Sequence, residues 1–428
     1  MCQNCLFFII EIKVIAFYLS YSPQLTLFHD MSERIQSSSR IKSIDTIRGA
    51  IMVIMALDHV RDFFHITAFS ADPTDPTTTT VLLFFTRWIT HYCAPSFLLL
   101  SGISAYLSGR KKTVAEISNF LAKRGLWLVF VEIIFITFAL SFDVTYKVIF
   151  LQVIWALGMS MLFLSLLVRF FSSAVILSIG LLLIFGHDLL GLVRFAAHSV
   201  PDILLNVFFT GAGKFYPVGS AHTVAVLYAV LPWTGLMFLG YGLGSLYDKD
   251  ADPARRKKTL LILGTTAILA FLILRAFNGY GDPSPWSEQT EGWRTFLSFM
   301  NVSKYPPSLM YCLVTLGPVL LLLAYTDQLE NRFSIFLSVY GKVPFFYYVL
   351  HFYLIHTFSA LAVLASGYTW RQATDPKLFF QFRPFDFGYR LEYVYLIWIG
   401  IVILLYLPCR WFGTYKTKRK KKWWLSYL

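Results

Sequence analysis

Charge is scarce in this chain: only 14% of its 428 residues are Asp, Glu, Lys or Arg. A soluble enzyme of this length carries about 25% charged residues, so a water-exposed surface of ordinary size is excluded. Cysteine is scarce as well. Cys93, Cys312 and Cys409 fall inside apolar runs and Cys2 and Cys5 near the start, so the 5 cysteines make no disulfide framework. No Cys-x-x-Cys, HExxH, phosphate-loop, GxSxG or dinucleotide motif stands in a credible setting, and no metal site is expected. Solenoid-type internal repeats are missing too.

Apolar and aromatic residues are what the chain has, at 57% and 18%. They fall in runs near the bilayer-spanning length of about 20 residues, approximately 46-66, 82-107, 120-142, 147-168, 172-193, 224-247, 258-277, 308-326, 336-364 and 389-411. The expected fold class is therefore all-α: a polytopic transmembrane helix bundle of about ten spans. Basic residues cluster in alternate connections: Arg34 to Arg48, Arg110 to Lys112 with Lys123 and Arg124, Arg169, Lys249 with Arg255 to Lys258, Arg332, and Lys416 to Lys422. By the positive-inside rule both termini are cytoplasmic, and most of the net charge of +13 sits on that face. The chain is therefore expected to reside in a membrane. Next to a span, the 412-428 tail with its KTKRKKKWW run meets anionic lipid rather than nucleic acid.

Residues 6-19 form an apolar run too short for a span and broken by Glu11 and Lys13. Residues 1-30 are read as an extension upstream of a translation start at Met31, with 31-45 a cytoplasmic lead and 46-411 the membrane domain. The alternative for the first segment is an interfacial amphipathic helix.

The first span carries Arg48, Asp58, His59, Arg61, Asp62 and His65. Ionisable groups in a span face a bundle interior or wet cavity, and mark function by default. Arg48 and His59, eleven residues apart, share a helix face about 16 Å apart along the axis. Imidazole serves as base, acid or nucleophile near neutral pH. Asp58 and Asp62 are placed to orient the His59 ring and stabilise its protonated form. Arg87 and His91, at i and i+4, share a face of the second span, and His351 and His356 lie on the ninth. Single membrane histidines also act as helix-to-helix glue. Ser101, Gly102, Ser104, Ala105 and the Gly240/Gly244 pair read as close helix contacts. The loop 278-307 interleaves Trp293 and Tyr305 with Lys304 and acidic residues, which suits a sugar or a polar headgroup and equally a membrane interface.

The blocks SIDTIRGAIMVIMALDHVRDFFH, APSFLLLSGISAYL, LPWTGLMFLGYGLG, NVSKYPPSLMYCLVTLGP and YGKVPFFYYVLHFYLIH resemble, in order, bacterial membrane proteins grouped with the catalytic domain of heparan-alpha-glucosaminide N-acetyltransferase. Ser43-Ile44-Asp45 and Arg48-Gly49 are similar to the opening of the lysosomal relative. The resemblance implies transfer of an acetyl group from cytosolic acetyl-CoA to a glucosamine amine across the membrane, with a membrane histidine involved. In the lysosomal relative that histidine follows Arg-Gly at a longer distance, so His65 matches it loosely. The Arg48 and His59 spacing instead resembles the broader transmembrane acyltransferase group, which leaves both histidines as alternatives.

The expected function is acyl transfer from cytoplasmic acetyl-CoA or another acyl-CoA to an extracytoplasmic glycan or amino sugar. Asp58, His59, Asp62 and His351 are the catalytic candidates, and Arg48, Arg110, Lys111 and Lys112 would hold the CoA phosphates. His65, Arg87, His91, Trp293, Lys304 and Tyr305 are the substrate-binding candidates. Arg87 and His351 could also polarise the thioester carbonyl. A proton-coupled transporter or flippase using the same cluster as a relay is the alternative, and a membrane scaffold without turnover a third class.

Overall fold

A computed structural model describes residues 41–419 apart from 212 and 328, together with 422 and 425. The 1-30 extension, most of the 31-45 lead and the end of the basic tail lie outside the described residues. The helices are α1 (Lys42–Phe64), α2 (Val81–Trp88), α3 (Cys93–Gly109), α4 (Val114–Ser141), α5 (Val153–Leu167), α6 (Ser173–Gly186), α7 (Val200–Leu205), α8 (Val230–Leu243), α9 (Pro253–Phe277), α10 (Gly292–Met300), α11 (Leu309–Thr326), α12 (Arg332–Gly341), α13 (Pro344–Ala365) and α14 (Leu391–Lys418). Six stretches, α4, α6 with its extension to Leu192, α9, α11, α13 and α14, are long and apolar enough to cross a membrane. The protein is a mostly helical, polytopic membrane protein.

Several expected spans are built differently. Three short strands, β1 (Val148–Leu151), β2 (Lys214–Val218) and β3 (His222–Val226), form a sheet in the order β1-β3-β2, so the fold is not purely helical. β1 runs parallel to β3, which pairs antiparallel with β2 across a tight turn holding Gly219 at φ +64°. The starts of the runs 147-168 and 224-247 are therefore strands. The helices that follow, α5 and α8, have 15 and 14 residues, or about 21–23 Å at 1.5 Å per residue, short of a hydrocarbon core of about 30 Å. Run 82-107 is interrupted by a 3₁₀ turn at Ile89–Tyr92, just ahead of Pro95, whose missing N–H cannot donate to the preceding turn. Run 336-364 breaks at Lys342 and Val343, where Pro344 opens α13.

α1 is the centre of the bundle. It packs against α3, α11, α12, α13 and α14, which buries it on nearly all sides and explains why its charges meet protein rather than lipid. Asp45 in its first turn and Arg61 in its last complement the helix dipole. Backbones touch where glycine removes the side chain: a Cβ on Gly49 would overlap the Leu337 carbonyl of α12, and one on Gly341 the Asp45 carbonyl of α1. Gly102 of α3 and Gly240 of α8 make the corresponding approach, while Gly244 receives the Tyr106 side chain.

Candidate active site

A cavity of about 240 Å³ opens at the far end of α1 and is lined by Asp58, His59, Arg61, Asp62, Arg87, Lys304 and Tyr305 among others. Several elements build it. α1 supplies the first four residues, α2 supplies Arg87, and the loop before α11 brings in Lys304 and Tyr305. Phe380 comes from the segment between α13 and α14.

Lys304 and Tyr305 reach the cavity because their loop is pinned from below. The buried Arg275 of α9 donates to the carbonyl oxygens of Ser284, Ser298, Phe299 and Asn301 at 2.6–3.2 Å. Asp282 accepts from the Ser303 amide at 2.9 Å and the Ser308 hydroxyl at 2.7 Å. The outer loops also hold each other: Arg294 donates to the carbonyl oxygens of Pro76 and Thr77. In that same turn the Thr77 amide and hydroxyl keep the Asp75 carboxyl below the usual carboxylate range.

The carboxylates of Asp58 and Asp62 make no hydrogen bond to His59 among the described residues. Asp58 accepts from Arg61 at 3.0 Å and from Arg87 at 3.1 and 3.3 Å, and Asp62 accepts from Arg61 at 2.6 Å. Asp58 follows a direction about 100° away from its neighbour His59 on the helix, whereas Arg61 is one turn on and on its side. The expectation that Asp58 and Asp62 orient the imidazole is thus corrected. With Arg61 and Arg87 they form an ion cluster beside it, sheltered at Asp58 and more open at Asp62. His59 instead lies against aromatic rings, 4.3 Å from Phe352 and 5.2 Å from His351 between centroids.

His351 sits behind His59, fully buried and outside the cavity lining. Its Nδ1 donates to the carbonyl oxygens of Tyr347 and Tyr348, and its Nε2 has no partner among the described residues. His65 is turned away: its Nδ1 meets the Thr67 hydroxyl at 3.0 Å, and its carbonyl accepts from Arg383 at 2.7 Å. A 3₁₀ turn at Ile89–Tyr92 separates His91 from the α2 helix that carries Arg87, and His91 is not in the cavity lining to which Arg87 belongs. It is buried against Tyr311, whose hydroxyl donates to the His91 carbonyl at 2.7 Å. Trp293 is exposed under Arg294, away from the cavity.

At the other end of α1, Arg48 donates to the Ser104 hydroxyl at 2.6 Å and the Leu100 carbonyl at 3.3 Å, with Asp45 at 3.7 Å. Arg110 pairs with Asp248 at 2.7 Å, Lys112 lies 4.0 Å over the Phe120 ring, and Lys111 is exposed. Sequence reasoning passed over Arg61 as a site residue although it stood within the singled-out cluster. It also missed Gln152, Tyr228, Tyr348 and Phe380 in the lining; nothing in their local pattern distinguishes them from ordinary interface residues.

The profile of the heparan-alpha-glucosaminide N-acetyltransferase catalytic family matches residues 40–275, more than half of the chain. The chain belongs to this family. Its matched segment contains the whole of α1, α2 and α3, hence Arg48, Asp58, His59 and Arg87, and ends at Arg275. No curated protein matches the chain. Membership of this acetyltransferase family points to a transmembrane acetyltransferase type of function, with an acyl-CoA as the donor expected of such chemistry.

Proposed function

We propose that this member of the family transfers an acetyl or other acyl group from cytoplasmic acyl-CoA to an extracytoplasmic glycan or amino sugar. The observation that carries the reading is His59: a ring with no hydrogen-bond partner among the described residues, facing a polar cavity on the central helix of an acetyltransferase-family bundle. A ring whose nitrogens are engaged by no neighbouring hydrogen bond is available to a substrate. His59 takes the proton of the acceptor amine or hydroxyl as its heteroatom attacks the thioester carbonyl. The new C–N or C–O bond forms, the C–S bond breaks, and the thiolate leaves and is protonated.

Negative charge develops on the carbonyl oxygen during attack, and Lys304 is the cation suited to meet it. Arg61 and Arg87 are already engaged by carboxylates, whereas Lys304 makes no ion pair within 4 Å among the described residues and lies 5.1 Å from the Tyr305 ring centroid. Arg87 and Asp58 are assigned to holding the chamber. His351 backs the His59 ring, and Tyr305 contributes an aromatic wall for the acceptor. Donor phosphates are assigned to Lys111 and Lys112 at the opposite end, with Arg48 nearer the helix axis.

The alternation of basic connections supports both termini in the cytoplasm, and a bacterial inner membrane is the location proposed. The deciding experiment is acetyl-CoA turnover with amino-sugar and glycan acceptors in purified His59→Ala. Activity should fall by about a hundredfold or more with an unchanged melt. An active variant removes His59 from the chemistry. Proton-driven uptake into liposomes without any effect of acetyl-CoA would favour transport.

A further inference from the structure

His356 is a buried histidine for which the acyl-transfer reading has no use, and its surroundings are chemically unusual. Both ring nitrogens meet backbone carbonyl oxygens: Nδ1 lies 2.8 Å from Ala139 and Nε2 2.6 Å from Gln381. A carbonyl oxygen only accepts. A neutral imidazole has one N–H, so one of these contacts would set two lone pairs against each other; the imidazolium has two N–H groups and satisfies both. The ring is also flanked by π faces, with Phe142 stacked at 3.7 Å and Phe63 at 4.7 Å between centroids, an arrangement that attracts a cation. Burial opposes the charge, while the two in-plane acceptors and the two aromatic faces favour it.

Gln381 belongs to the strap of residues 374–390 between α13 and α14. The strap's Phe380 lines the cavity and packs on Phe63, Phe69 and Phe150 at 5.5–5.7 Å. Arg383 anchors one flank through the His65 and Phe387 carbonyl oxygens at 2.7 and 2.6 Å, and the Gln381 amide donates to Ser141. Beneath Pro376–Phe379 lies a second cavity of about 100 Å³, which leaves that part of the strap room to move.

We propose that His356 is a positioning residue whose imidazolium clasps the strap through Gln381, and so holds Phe380 as the roof of the His59 cavity. The charged and titratable groups on the surrounding elements are Arg61, Asp62 and His59 on α1, Asp143 after α4, Lys377 and Arg383 on the strap, and His351 and Tyr353 on α13. Asp62 is paired with Arg61, and Asp143 with Thr145. No carboxylate ion-pairs with His356 among the described residues, so the charge is held by the two carbonyl groups and two rings alone. Protonation makes the clasp; loss of the proton as pH rises weakens it.

The inference rests on the acyl-transfer reading only in treating the cavity as the reaction chamber, and its test does not use turnover. Cys93 lines the same cavity, so its alkylation by a small maleimide, followed by peptide mass spectrometry, reports an open roof. Dividing the rate in His356→Gln by that in the unaltered full chain at each pH cancels the thiol's own ionisation. The ratio should be largest at about pH 4 and approach one by neutral pH. Phe380→Ala, which keeps His356, should also raise alkylation at about pH 4, which reads roof opening without touching the ring. Nitrogen-15 spectra of the His356 ring, assigned by their loss in His356→Gln, should show two protonated nitrogens at the acid end. A ratio independent of pH, unchanged alkylation in Phe380→Ala, or a single protonated nitrogen throughout would overturn the clasp.

Discussion

The Arg87 guanidinium of α2 lies 3.1 Å from the Asp58 carboxylate of α1, and this bond joins the helix that carries His59 to the helix that walls the cavity. Both side chains are largely sheltered, with 14% and 12% exposure, so the pair is costly to break from one side. Removing one partner of a buried pair leaves an uncompensated charge and costs about 3–5 kcal/mol.

Asp58→Asn should therefore lower the thermal midpoint substantially, because two arginines lose their shared carboxylate. Asp58→Asn combined with Arg87→Gln should cost less than the sum of the single changes, with a coupling of about 0.5–3 kcal/mol. Additive losses in detergent melts would show that the two residues do not act as a unit.

Close approach of α1 and α12 depends on having no side chain at Gly49. Gly49→Ala should sharply reduce the yield of folded protein, since its methyl group would meet the Leu337 backbone and a packed backbone cannot yield as a side-chain tip can. Gly400→Ala, on α14 with nothing within 4 Å, should change stability by no more than about 1 kcal/mol. Size-exclusion profiles and melts of the two variants give the comparison; equal behaviour would disprove the crossing at Gly49.

Two kinds of basic residue are distinguishable at the end of the bundle assigned to the donor. Arg48→Gln should lower stability by about 1–3 kcal/mol through lost bonds to Ser104 and Leu100. Lys111→Gln, at an exposed position, should leave the melt unchanged and weaken acetyl-CoA binding in a salt-dependent way. Calorimetry of both variants checks this, and unchanged affinity in each would move the donor site elsewhere.

Reporter fusions after Leu246 and after Lys420 should both signal cytoplasm, since basic residues alternate between successive connections. An extracytoplasmic signal from either position would overturn the proposed topology.

Much of the bundle was legible from apolar run length, because membrane insertion sums residue by residue along one segment. The six long apolar helices fall where the runs are. The strands at Val148–Leu151 and His222–Val226 were not legible: a short apolar stretch reads alike in a strand and a buried helix, and the pairing partner of β1 lies 75 residues away at Val148↔Thr223. The break before Pro344 had a local signal, the proline, that length alone overrode.

For the candidate site, the sequence by itself determined that α1 carries the ionisable cluster, because Asp58, His59, Arg61 and Asp62 are covalent neighbours on one helix. Only the tertiary structure decided their partners. Arg87 takes Asp58, Thr67 and Arg383 hold His65, and His59 is left to the cavity. Lys304 and Tyr305 arrive there because Arg275 and Asp282 pin their loop. The physical reason is range: hydrophobicity and helix direction act within a few residues, whereas a buried charge selects its partner from whatever the folded chain brings within hydrogen-bond reach.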